Sequence, residues 1–189
     1  MKKIYLIVLL IILNPVNVAL ADFSGPYDVS NWTQILNGGS IDTTGAPASI
    51  IEISSNDGAG PDNTDFTIAA VDSGTVTFNW SYTTTDVDGP SYDPFGWLLN
   101  GTFTQVTNDG GLINQSGTVT FPVVAGDVFG FRAHATDSAL GSASTTISNF
   151  SAPLLAPDAI PSLSSWGIIL LSLLLIITAS NRSNKIRKI

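Results

Sequence analysis

The sequence predicts an all-β, two-sheet antiparallel sandwich followed by one C-terminal transmembrane helix. Three observations carry that prediction. Short runs with period-two alternation, separated by Gly- and Asn/Asp-rich breaks, fill the chain from Asp22 to Pro153. No sustained 3.6-residue apolar stripe occurs in that part. The stretch from Ile160 to Ser180 is almost unbroken apolar over 21 residues, roughly 30 Å as a helix, or about one bilayer core.

At the front, Lys2 and Lys3 form a charged region, and Ile4 to Leu13 form a short apolar one. Ala19-Leu20-Ala21 supplies a small-x-small cleavage pattern, so residues 1–21 are expected to be a signal peptide cut after Ala21. The clearest strand is Thr75 to Tyr82, where Val76, Phe78, Trp80 and Tyr82 face one way and Thr75, Thr77, Asn79 and Ser81 the other. The other runs are Ser49–Ser54, Asp65–Ala70, Gly96–Leu99, Thr102–Val106, Gly117–Val124, Asp127–Ala135 and Ser144–Phe150. Asn100-Gly101 between two of them is a type I′ hairpin signal, because both turn positions need positive φ. Short strands at this spacing fit a jelly roll.

The hexapeptide Ser-Gly-Thr-Val-Thr-Phe occurs twice, at Ser73–Phe78 and Ser116–Phe121. It marks either equivalent strands in two halves of the sandwich or simply a turn followed by good strand formers. The body is expected to span residues 22–152, with 153–159 as a Pro-containing linker.

Charge divides the chain. Between Asp22 and Ala159 lie all fifteen carboxylates, fourteen of them Asp, against the single cation Arg132, a net charge of −14. Such a body repels nucleic acid and anionic lipid and attracts divalent cations. The absence of cysteine excludes disulfides, zinc-thiolate sites and thiol nucleophiles. Arg182, Lys185, Arg187 and Lys188 follow the apolar run directly, and the positive-inside rule puts that end in the cytoplasm.

The tail reads Ile160-Pro161-Ser162-Leu163-Ser164-Ser165-Trp166-Gly167, then the apolar run, then the basic end. It resembles the IPTL-CTERM protein-sorting signal, a relative of the PEP-CTERM signal of Gram-negative bacteria. Ile160, Pro161, Leu163, Ser164, Trp166 and Gly167 carry the match, whereas Ser162 and Ser165 depart from the usual Thr and acidic residue. The resemblance implies secretion, membrane retention through residues 160–189, and cleavage by an exosortase-like transpeptidase near the signature. An ordinary C-terminal anchor is the alternative.

The body in turn resembles a CUB-like bacterial sandwich. The likeness rests on Phe23–Tyr27, Asn31-Trp32-Thr33, Tyr92–Gly101, Gly130-Phe131-Arg132 and Ile147–Pro153. It brings no chemistry with it.

No catalytic residue is expected. His134 is the only histidine, it shares a strand face with Arg132, and no nucleophile elbow, phosphate loop or His-pair metal motif is present. Calcium is the expected ion, since hard cations take oxygens from Gly-containing loops. Asp57, Asp62, Asp65 and Asp93 are the candidate ligands, although Asp, Asn and Gly are also what β-turns use. Asp93, ahead of Pro94 and an apolar run, is expected near the core edge, where an unpaired carboxylate is costly.

Trp32, Trp80, Trp97, Tyr27, Tyr82 and Tyr92 form a candidate sugar-stacking face, against the reading that Trp80 and Tyr82 are core. The expected function is therefore that of an exported, non-enzymatic surface or extracellular-matrix protein with a polysaccharide partner. A secreted carbohydrate-binding module or carbohydrate-active enzyme is the alternative.

Overall fold

The computed structural model describes residues 20–155 and 165–186. The first stretch forms two antiparallel sheets. Its strands are β1 (Leu20–Ala21), β2 (Thr33–Ile35), β3 (Ser40–Asp42), β4 (Ser49–Ile53), β5 (Asp62–Ala69) and β6 (Gly74–Thr84), then β7 (Phe95–Leu99), β8 (Thr102–Gln105), β9 (Asn114–Val123), β10 (Val128–Ala135) and β11 (Ala143–Pro153). One sheet runs β3-β4-β11-β6-β9, with β1 added on β11, and the other runs β2-β5-β10-β7-β8. All eight predicted runs are strands. The expected linker start, Pro153, is the last residue of β11.

Alternation places the core. In β6, Val76, Phe78, Trp80 and Tyr82 are all buried, as predicted. From the other sheet Phe66, Phe95, Phe129 and Phe131 face them, and Phe23, Tyr27 and Trp32 pack in from the N-terminal segment. Trp32 is the hub: it stacks on Phe66 at 4.6 Å and on Phe131 at 5.6 Å, and meets Phe129 and Phe150 edge-on. Offset and edge contacts of this kind add about 0.5–1.5 kcal/mol each beyond the area buried. Two short 3₁₀ turns, Gly25–Tyr27 and Val29–Asn31, bring Trp32 inward, and its indole N–H donates to the Tyr27 carbonyl at 2.9 Å.

The repeated hexapeptide does not mark two halves of the sandwich, since both copies form strand in the same sheet. Its two copies lie side by side, antiparallel, in β6 and β9, with Val76 opposite Phe121, Phe78 opposite Val119 and Thr77 opposite Thr120. The pairing is a local two-fold about the Thr77–Thr120 pair, whose hydroxyls lie 3.2 Å apart. Hairpin residues Asn100 (φ 50°) and Gly101 (φ 80°) both have positive φ, as a type I′ turn requires.

A bulge in β11 between Ser148 and Ser151 resets the strand's phase. Asn149 (φ 48°) is the extra residue. Before it Ala143, Thr145 and Ile147 face inward. After it Phe150 and Ala152 do, whereas unbroken alternation would have turned Asn149 and Ser151 in.

The expected cleavage point falls inside the fold: Ala21 pairs with Ala152 in β1. Ala19 lies outside the described residues, as do Ile160, Pro161, Leu163 and Ser164.

Residues 156–189 form a separate unit containing the helix α1 (Ser165–Ile186), which begins at the Trp166-Gly167 part of the signature. The expected span began at Ile160. The helix is described from five residues later and continues through Asn181, Arg182, Asn184 and Lys185, so polar residues occupy its end. Among the described residues no helix is long and apolar enough to cross a membrane. Nine Ile and Leu side chains between Ile168 and Ile177 are nonetheless exposed.

Candidate functional site

Polar chemistry gathers on the outer face of the five-stranded sheet. β10 turns Phe129, Phe131, Ala133 and Ala135 inward, so Arg132 and His134 point out together. Across the register Arg132 faces Asp65 on β5 and Gly96 on β7. The guanidinium donates twice to the Asp65 carboxylate, Nε to Oδ1 at 2.6 Å and Nη2 to Oδ2 at 2.7 Å. On its other side it lies 5.8 Å from the centre of the Phe103 ring, within cation–π range.

Gly96 permits that arrangement. A Cβ added there would stand 2.2 Å from the Thr104 carbonyl oxygen and 2.7 Å from Phe103 Cε2, so a side chain would collide with both the β8 backbone and the ring. Leu98, buried beside Phe103, completes an apolar floor.

His134 extends the row. Its Nδ1 lies 2.9 Å from Asn63 Oδ1, an acceptor, so Nδ1 carries the proton in this arrangement and Nε2 remains an acceptor. Burial lowers the His134 pKa, and Arg132 works in the same direction against the backbone and charge of Asp62 and the charge of Asp65. The imidazole is therefore neutral near neutrality. Arg132 spends two of its five N–H donors on Asp65, leaving three. The face offers a half-buried aromatic ring, free guanidinium donors, and a neutral imidazole and amide within one row of strands.

The four predicted calcium ligands do not form one cluster. Asp65 is committed to Arg132. Asp57 is exposed and caps the Ala59 N–H at 2.9 Å, and Asp62 lies 3.4 Å from the Ser138 hydroxyl. Asp93 is buried, as its place before Pro94 suggested, and accepts from Ser54 Oγ at 2.7 Å and Thr84 Oγ1 at 3.1 Å. No group of three or more His, Cys, Asp or Glu able to hold a metal occurs among the described residues. The candidate stacking face is also corrected. Tyr27, Trp32, Trp80 and Tyr82 are core residues, Trp97 is stacked on Phe121 at 4.1 Å, and Tyr92 is half-buried elsewhere. The aromatic on this outer face is the half-buried Phe103, in a run read only as a strand.

Burial pushes the Asp93 carboxyl up to about 6, against the lowering effect of its bonds from Ser54 and Thr84. A carboxyl raised in the folded state binds its proton more tightly there, so its contribution is present below about pH 4 and lost as pH rises through 6. After allowance for screening the loss is about 1–2 kcal/mol. Denaturant melts of Asp93→Asn at pH 4 and pH 7 should show a pH difference smaller than wild type by that amount. Identical profiles would mean that Asp93 titrates as an ordinary carboxyl.

No family model matches the chain, and no curated protein matches it. Similar solved structures include a family 35 carbohydrate binding module from an environmental isolate, at 18% identity and a TM-score of 0.38, covering 66% of this chain and 93% of that one. Another is the CBM35 from Cellvibrio japonicus Abf62, at 19% identity and TM-score 0.36, covering 64% and 91%. Rabbit GITRL is also similar, at 13% identity and TM-score 0.31, covering 49% and 74%. Likeness at these TM-scores carries no residue's role across to this chain.

Proposed function

We propose that this chain is an exported, non-enzymatic surface protein whose sandwich contacts extracellular polysaccharide. A leader and a sorting-type tail would bring it to the cell envelope, and an exosortase-like enzyme would act on the tail near Pro161. The observation that carries the export reading is the pairing of a self-contained acidic sandwich with a separate helix bearing nine exposed Ile and Leu side chains. Apolar surface of that kind calls for lipid or protein around it. Cell fractionation with an epitope placed after Asp22 tests this part. Protein found only in the cytosol would end it.

The polysaccharide reading rests on the Phe103–Arg132–His134 face. Flat sugar faces suit an aromatic ring, and hydroxyl groups suit the remaining guanidinium donors and the neutral imidazole. A body of net charge −14 repels acidic polymers, so a neutral polysaccharide is the expected partner. In affinity gels with a panel of neutral polysaccharides, the full chain should be retarded by at least one. Phe103→Ala should lose at least tenfold in affinity, and Val87→Ser, in an exposed loop, should lose none. Free migration in every gel would sink this reading.

A further inference from the structure

We propose that Asn37 is a self-modification site, converted by the glycine after it into aspartate and isoaspartate, while the matching Asn100 is spared. The string Leu-Asn-Gly occurs twice, at 36–38 and 99–101. Each copy forms the same turn. Asn37 (φ 38°) and Gly38 (φ 84°) repeat the positive φ values of Asn100 and Gly101, and the Gly39 N–H closes the turn on the Leu36 carbonyl at 2.7 Å. Both Asn-Gly pairs are exposed, and neither glycine N–H has an acceptor among the described residues. Sequence and backbone are shared, and only the asparagine side chains differ. The Asn100 amide is held at both ends: its Nδ2 donates to Asp127 Oδ1 at 2.9 Å, and its Oδ1 accepts from the Val128 N–H at 2.9 Å. The Asn37 amide has no such partners among the described residues. The bonds around it, from the Gly39 N–H and from Thr64 Oγ1, both end on the Leu36 carbonyl.

The chemistry needs only water. The Gly38 amide nitrogen loses its proton and bonds to the Asn37 side-chain carbonyl carbon. The bond from that carbon to the side-chain nitrogen breaks, and ammonia leaves with the proton. One water then opens the cyclic imide. Opening at the side-chain carbonyl gives aspartate, and opening at the main-chain carbonyl gives isoaspartate, with no change of oxidation state. A glycine suits the attack because no Cβ shields its nitrogen and its backbone turns freely. Asn100 must break two hydrogen bonds before its side-chain carbon can swing onto Gly101, whereas Asn37 breaks none. Two bonds of ordinary net strength slow the reaction about tenfold or more. The flanking strands act in the same direction. β2 and β3, three residues each, lie at the borders of different sheets, while β7 and β8 pair with each other around Asn100. The first turn therefore opens locally at lower cost. The product changes the site as well. A Cβ on Gly38 would collide with Asp57 Oδ2 and Ser55 Oγ, so a new carboxylate at 37 arrives one residue from that of Asp57. Isoaspartate also adds a main-chain carbon to the turn, which lifts Gly38 from its seat against Ser55 and Asp57.

The test follows both turns in one sample of the full chain, held in detergent at mildly alkaline pH and digested for peptide mass mapping at intervals. The Asn37 peptide should gain the mass difference between a hydroxyl and an amino group at least tenfold faster than the Asn100 peptide. Its products should separate into aspartate and isoaspartate forms. In mild acid the conversion should slow, because the attacking nitrogen must first lose its proton. In urea the two peptides should convert at similar rates, since only the shared Leu-Asn-Gly string is left. Asp127→Ala releases Nδ2 of Asn100 and should speed that turn severalfold with Asn37 unchanged. If this variant does not fold, the folded and urea samples decide alone. Equal rates in the folded chain would overturn the proposal, as would a faster Asn100 or a folded chain in which neither turn converts. A difference that persists in urea would overturn it too, because the cause would then lie outside the fold.

Discussion

Trp32→Ala is expected to destabilise the sandwich by about 3–5 kcal/mol, the usual cost of emptying an aromatic site in a core. Trp32 is 6% exposed and touches Phe23, Phe66, Phe129, Phe131 and Phe150. These rings come from both sheets and the N-terminal segment, so no single neighbour can move to fill the gap. The indole N–H bond to the Tyr27 carbonyl goes with it, and Tyr27 in turn donates its hydroxyl to Pro153 O at 2.8 Å and accepts from the Val71 N–H at 3.1 Å. Loosening the segment from Phe23 to Trp32 should therefore also loosen the end of β11. In urea melts the midpoint should fall sharply, and Trp32→Phe should recover about half of the loss. A fall under 1 kcal/mol for Trp32→Ala would show that the hub is not what closes the sandwich.

Arg132→Met should cost about 2–4 kcal/mol, because it strands the Asp65 carboxylate at 6% exposure without its partner. The guanidinium itself is partly solvated, which holds the cost below that of a fully buried pair. The double variant Asp65→Asn with Arg132→Met removes the stranded charge and should regain more than half of the loss, a coupling that a double-mutant cycle measures directly. Additive losses would mean that the two side chains act independently.

Much of the fold is legible in the sequence because alternation is strong wherever one face is buried. β6 is the best case, since its apolar and polar residues separate cleanly by face. The short strands β2 and β3 were missed because three residues give alternation no length to declare itself. The phase reset in β11 was invisible for a different reason. Asn149 looks like any polar strand residue until its positive φ turns Phe150 inward. β4 is ambiguous in sequence, because Ile50 shares a phase with Glu52 while Ile51 shares one with Ile53. Only tertiary packing chooses the phase that buries Glu52. The candidate site was half legible: Arg132 and His134 were placed on one face, but their partners Asp65 and Asn63 lie 67 and 71 residues away. No local pattern reports such a pairing. Asp93 was legible because Pro94 and the apolar run after it fix its position at a strand entry.

The paired hexapeptide bears on how copies of this protein meet. β9 ends the six-stranded sheet, so one copy of the string already lies along an open border. A sequence that pairs antiparallel with its own duplicate is self-complementary, and two molecules approaching border to border would find the same Val–Phe and Thr–Thr register ready-made. Pro122, directly after the second copy, has no N–H to offer a newcomer. It acts as a stop against chain-to-chain zippering. Where two copies come close, that missing donor opposes strand addition along β9.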